Sequence, residues 1–90
     1  MKAYTDVFGK PLTKDDVRLA AIITVRTGNP YPSNLQRNMK IGYAKAARLV
    51  KLLRDAGVTT DLSNTPRTVI LKNEEQAVNA ALRQLKKGRK

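Results

Sequence analysis

The chain contains no cysteine and no histidine, and these two absences remove most of the common catalytic and metal-binding chemistry. Without cysteine, disulfides and thiolate zinc sites are excluded, which fits a reducing, cytoplasmic compartment. Without histidine, the usual general base and the usual zinc ligand are both missing. We therefore expect a cytoplasmic protein that is not an enzyme and that binds no cofactor and no metal.

Aromatic residues and long apolar runs are also scarce. The sequence has one Phe, three Tyr and no Trp, so its core must be small and aliphatic. No segment approaches the roughly 18 apolar residues that span a bilayer, and the first ten residues lack the apolar stretch of a signal peptide. A phosphate-binding G-x-x-x-x-G-K-[ST] loop is absent too. Ninety residues accommodate one core, and no membrane partner is expected.

Positive charge is what the sequence has in excess, with 18 Lys and Arg against 7 Asp and Glu, a net charge of +11. No acidic residue lies between Val17 and Arg54. Such a field of one sign suits a polyanion, namely DNA, RNA or an anionic membrane. A basic surface that only promotes solubility is the alternative. RNA is disfavoured because exposed aromatic platforms for stacking bases are lacking.

Two segments carry clear signals of helix ends. The run "LTKDDVRLAAIITVRTG" predicts a helix, because Thr13 is suited to the N-cap, Asp16 follows three residues later and Gly28 supplies a stop. Near the C-terminus, Asn73 is suited to cap the helix "EEQAVNAALRQLKK". Both segments show an apolar stripe at helical spacing, so both helices are expected to pack against the core.

The basic stretch "LQRNMKIGYAKAARLVKLL" between them is interpreted as two helices rather than one. Ser33 is the predicted N-cap of a short helix over about Asn34 to Met39. Gly42 is expected to take the positive φ of a tight turn, which also breaks any membrane-surface helix. A third helix then runs to about Ala56.

A change of period follows, because "VTTDL" and "RTVILK" are β-branched and "SNTP" between them is typical of a turn. This pattern predicts a hairpin of Val58–Leu62 and Arg67–Lys72. The predicted fold is therefore mainly α with a small β-hairpin, a winged helix-turn-helix with an extra C-terminal helix. The expected organisation is an N-terminal arm over 1–12, a winged helix-turn-helix DNA-binding domain over 13–72, and a C-terminal helix and basic tail over 73–90.

The run "LQRNMKIGYAKAARLVKLLRDAGVTT" resembles the gamma domain of FtsK-type DNA translocases. That family carries a pattern close to [VL]-Q-R-x-[LMF]-[KR]-I-G-Y-N-[RK]-A-A-R, followed by an apolar helix and an A-G-[VI]-V turn. The resemblance covers roughly Val17 to Leu71 and implies a winged helix that reads an asymmetric G-rich octamer and activates a Xer tyrosine recombinase. Ala44 replaces the family's Asn, which leaves the octamer preference open, and no motor motif accompanies the domain.

Carried onto matching positions, the resemblance implies that Arg48 reads bases and that Lys45 is a basic contact. Gln36, Arg37 and Lys40 would approach phosphates, and Ala44 offers only a methyl contact where Asn reads adenine. The predicted DNA-binding residues are Gln36, Arg37, Lys40, Tyr43, Ala44, Lys45, Arg48, Lys51 and Arg67.

The predicted function is sequence-specific binding of double-stranded DNA through an FtsK-gamma-like recognition helix. The expected biological setting is transcription regulation, or DNA segregation or transfer as an accessory of a plasmid or phage. The alternative is a protein-interaction module that activates a Xer-type recombinase. The expected partners are double-stranded DNA, a second copy on DNA, and a recombinase or other DNA-processing protein. The sequence leaves open the target site, the host and the oligomeric state.

Overall fold

The computed structural model describes residues 12–59, 69 and 71–87. Within these ranges the chain forms four helices: α1 (Lys14–Thr27), α2 (Pro32–Met39), α3 (Tyr43–Asp55) and α4 (Glu74–Lys87). None of the four is both long and apolar enough to cross a membrane. The helix order confirms the prediction of a first helix, a helical pair and a C-terminal helix.

Side-chain caps explain why α1 and α4 begin where they do. The Thr13 hydroxyl accepts a hydrogen bond from the backbone N–H of Asp16 at 3.1 Å, and Asn73 Oδ1 accepts one from the N–H of Gln76 at 3.0 Å. At the other end of α1, Gly28 adopts φ 68° and its N–H bonds to the Thr24 carbonyl. These contacts confirm the predicted caps, each of which satisfies a backbone group that has no partner within its helix.

The second helix begins two residues earlier than predicted. Its N-cap is Tyr31, and Pro32 occupies its first position, where the fixed φ of proline suits a helix and its missing N–H costs nothing. Ser33 lies inside the helix, so the prediction that Ser33 caps α2 is wrong.

The core is built on the antiparallel packing of α1 and α4, the most extensive helix–helix contact among the described residues. Arg26 near the end of α1 makes a two-pronged contact with Glu74 at the start of α4. Each of the two helices buries two alanines, which allow close approach of the backbones. Buried residues from all four helices and the flanking segments join one cluster: Leu12, Val17, Ala20, Ala21, Leu35, Ala46, Leu49, Val50, Leu52, Leu53, Val58, Ala77, Ala81 and Leu85.

The prediction of a small β-hairpin is wrong, and with it the predicted fold class, a mainly α winged helix-turn-helix with a small β-hairpin. The described residues contain no strand: Thr59 and Val69 form one isolated antiparallel bridge, and the Leu71 N–H donates to the Val58 carbonyl at 3.2 Å. Val58 is fully buried and Thr59 is 2% exposed, so their β-branched character reflects packing into the core rather than a repeated strand ladder. The remainder of the predicted hairpin, 60–68 and 70, lies outside the described residues.

The turn between α2 and α3 differs from the prediction in one detail. Gly42 has φ −73° and ψ 164°, an extended conformation that any residue adopts. The left-handed residue is Lys40, with φ 56° and ψ 49°. The prediction that Gly42 supplies the positive φ is therefore wrong, because the chain reverses directly after α2, at its C-cap, and has regained extended geometry by Gly42.

A buried polar cluster joins the end of α1 to α2. Asn34 is 4% exposed, and its Nδ2 donates to Thr27 Oγ1 at 2.8 Å and to the Asn29 carbonyl at 3.1 Å. Its Oδ1 accepts from Asn38 Nδ2 at 2.8 Å. The sequence predicted a helix over Asn34 to Met39 but no buried polar contact between that helix and α1. In the structure these hydrogen bonds fix the position of α2 relative to the end of α1.

Candidate nucleic-acid interface

The helical pair presents the outer side of α3 to solvent. Five apolar residues of α3 are buried in the core, namely Ala46, Leu49, Val50, Leu52 and Leu53. Ala44, Arg48 and Lys51 are exposed and follow one another at spacings of four and three residues, which places them along one face of the helix. The predicted base-reading residue Arg48 thus lies in the middle of an accessible face.

The charge on this face is positive at its beginning and mixed at its end. Helix α3 has no acidic residue in its first turn, so no side chain of α3 itself offsets the positive end of its helix dipole. At the far end, Lys51 Nζ pairs with Asp55 Oδ2 at 3.1 Å. An anionic ligand is therefore favoured along the first two turns, where helix-turn-helix proteins place their base contacts.

Lys45, the second predicted contact on α3, points toward α1. Its Nζ lies 2.9 Å from Asp16 Oδ2, and only 31% of the Lys45 side chain and 27% of the Asp16 side chain are exposed. This ion pair ties the N-terminal ends of the two helices together. Lys45 must leave Asp16 to reach DNA, a competition that the sequence alone did not reveal.

The residues predicted to contact phosphate lie before α3. Arg37 on α2 and Lys40 in the turn are exposed, whereas Gln36 is half-buried. Tyr43 is the first residue of α3 and is 64% exposed, so its ring is on the surface and not in the core. The prediction for Arg67 falls outside the described residues.

The left-handed Lys40 allows its charge to be tested separately from its backbone geometry. We expect Lys40→Gly to raise the free energy of unfolding by about 0.5–1 kcal/mol, because relief of a strain of about 1–2 kcal/mol outweighs the added freedom of the unfolded chain. Lys40→Ala removes the same charge but keeps the strain, so it should bring no such gain. Urea unfolding of both variants measures the difference. Equal stabilities would show that the left-handed conformation of Lys40 is not strained.

The same pair of variants also tests the predicted phosphate contact. Both changes should lower the affinity for every DNA duplex by a similar factor, because both remove one positive charge. A fluorescence titration with two unrelated duplexes would show this. Unchanged affinity in both variants would remove Lys40 from the interface.

Comparison with known proteins places the chain in one family. The family model of the Ftsk gamma domain matches residues 14–72, from the start of α1 to just before α4. The DNA translocase FtsK of Caldanaerobacter subterraneus subsp. tengcongensis is 37% identical over 71 residues, which cover 74% of this chain and 10% of that protein. The chain therefore spans about a tenth of the length of this relative. No solved structure matches the chain significantly.

Proposed function

Because the chain belongs to the FtsK gamma domain family, we propose that it recognises specific double-stranded DNA sequences with the exposed face of α3 in the major groove. The gamma domain is a small DNA-interaction module without catalytic function, separate from the translocase motor. The observation that carries the proposal is the α3 face itself, with Arg48 at its centre and no acidic residue in its first turn.

The proposed contacts divide into base reading and phosphate binding. Arg48 would make paired hydrogen bonds to O6 and N7 of guanine, and Ala44 would make an apolar contact such as one with a thymine methyl group. Arg37 and Lys40 would hold the phosphate backbone before α3. We also propose that Arg67 and Lys45 contact DNA. Lys45 would break its ion pair with Asp16 and bind a phosphate instead.

The proposed output of binding is occupation of a DNA site. This role suits a transcription regulator, or an accessory of DNA segregation or transfer in a plasmid or phage. Four to six neutralised phosphates would make the affinity fall steeply with salt.

Selection of binding sites from a random duplex pool, at near-physiological salt, tests the proposal. We expect enrichment of an asymmetric motif by the unaltered chain. Arg48→Ala should weaken binding to the selected site by about 1–3 kcal/mol and relax one base position. Arg83→Ala is the matched control, because Arg83 is an exposed arginine on α4. If Arg48→Ala lowers the affinity for the selected duplex and for a scrambled duplex by the same factor, Arg48 does not read a base.

A second candidate function is activation of a Xer-type recombinase through protein contacts. Tyr31 and Tyr43 are 42% and 64% exposed, and aromatic side chains are enriched in protein–protein interfaces. A complex with recombinase that survives nuclease treatment and weakens in Tyr43→Ser would support this function. A complex that disappears with nuclease would leave DNA as the link.

A further inference from the structure

A groove with a volume of about 430 Å³ lies between the start of α1 and the end of α4. Among the described residues, six line it: Lys14, Arg18, Leu82, Arg83, Leu85 and Lys86. The four basic residues are exposed, whereas Leu82 is half-buried and Leu85 is 3% exposed. The groove thus has a cationic rim, and its accessible apolar surface comes from Leu82 and the methylene stems of the four basic side chains.

The positions of the rim charges are only partly explained by helix stability. Basic residues in the last turn of α4 are favoured by the helix dipole. Lys14 and Arg18, in contrast, lie in the first part of α1, where a positive charge opposes the dipole. Arg18 pairs with Asp15 at 3.4 Å, and the Asp15 side chain is 92% exposed. Within the described residues, no carboxylate pairs with Lys14, Arg83 or Lys86.

This groove is separate from the proposed DNA face. Lys14 and Arg18 are one turn apart on α1, while Asp16, which pairs with Lys45 of α3, lies two residues from each and therefore on the other side of the helix. The other wall belongs to α4, which begins after the last residue matched by the family model. A ligand in the groove would leave the α3 face accessible.

We propose that this groove binds an acidic amphipathic helix of a protein partner. Leu82 and the methylene stems of the basic side chains would contact the apolar stripe of such a helix, and the charged ends of the rim would pair with carboxylates beside the stripe. A DNA backbone would gain from the rim alone, because phosphates and sugars do not bury an apolar stripe. The combination of apolar side-chain surface with cationic ends therefore favours a peptide over a second duplex.

The probe is a synthetic 18-residue helical peptide with Leu at i, i+3, i+4 and i+7 spacing and Glu at most other positions. Titration of the labelled peptide with the full chain, followed by fluorescence anisotropy, should give saturable binding. A peptide of the same composition with its leucines scrambled should bind on the order of tenfold more weakly. Equal affinities of the two peptides would show that charge attraction alone accounts for binding and would overturn the proposal. Absence of binding would overturn it as well.

Three variants locate the contact and separate it from DNA binding. Arg83→Glu and Lys14→Glu should each lower peptide affinity on the order of tenfold while keeping the affinity for the selected duplex within about twofold. Arg48→Glu, an equal change of charge on α3, should show the opposite pattern. Thermal unfolding of each variant confirms that it is folded. Loss of duplex binding in Arg83→Glu, comparable to that in Arg48→Glu, would make the groove a DNA surface and overturn the proposal.

Discussion

A chain that stops after Lys72 will not fold cooperatively, although it retains every residue that matches the family model. Helix α4 makes the most extensive contact with α1, and it contributes Ala77, Ala81 and Leu85 to the core. Removing it exposes these contacts on α1 to water and also removes the Glu74 partner of Arg26. The loss is on the order of 5 kcal/mol, comparable to the whole stability of a small domain.

Circular dichroism during heating provides the measurement. We expect a sigmoidal transition for the full chain and a broad, non-cooperative change for the truncated one. A chain that stops after Lys87 is the control, because it keeps all of α4 and loses only three residues. A truncated chain that melts sigmoidally within a few degrees of the control would show that residues up to 72 fold alone, with α4 as an accessory.

Replacing Asn34 with Ala should lower the free energy of unfolding by about 2–3 kcal/mol, an unusually large effect for a polar residue outside any proposed contact. The Asn34 amide group supplies two of the hydrogen bonds that join α2 to the end of α1, and the side chain is almost fully buried. Alanine would leave the Asn29 carbonyl without this donor and open a small cavity.

Asn38→Ala is the matched control for this cluster. Asn38 is exposed, so Asn38→Ala opens no buried cavity, and it leaves both hydrogen bonds from Asn34 to the end of α1 in place. We therefore expect a loss below about 1 kcal/mol. Urea unfolding of both variants gives the comparison. A loss for Asn34→Ala no greater than that for Asn38→Ala would show that water satisfies the buried groups and that the cluster does not hold α2 in place.

The four helices, together with the caps of α1 and the N-cap of α4, were predictable from sequence because their determinants are local. Thr13, Gly28 and Asn73 act within their own helix ends, over three or four residues. Apolar spacing likewise indicated that α1 and α4 pack against the core. These signals depend on neighbouring backbone groups, and the same residues produce them in almost any context.

The hairpin was misjudged because a β-branched run has two physical explanations. Val58 and Thr59 are buried residues beside the end of α3, and burial selects the same side chains as strand pairing does. Similarly, Gly42 was a reasonable position for a left-handed residue, but the turn geometry places that conformation at Lys40. Local composition does not distinguish these alternatives.

The candidate site likewise contains features that are set within one segment and one contact that is set by tertiary packing. The basic stretch, the α2–turn–α3 arrangement and the accessible position of Arg48 were all predictable from residue spacing within one segment. The pairing of Lys45 with Asp16 was not, because it joins residues 29 positions apart in sequence on two helices. Its existence depends on how α3 packs against α1.

By itself, the sequence determined a small basic domain with a gamma-type helical pair between a first helix and a C-terminal helix. Only the tertiary structure decided that α4 closes the core against α1, that Asn34 joins α1 to α2, and that Lys14 and Arg18 face Arg83 and Lys86 across a groove. The physical reason is range: helix formation and capping act over a few residues, whereas these contacts arise when the buried faces of distant helices align and bring their polar residues together.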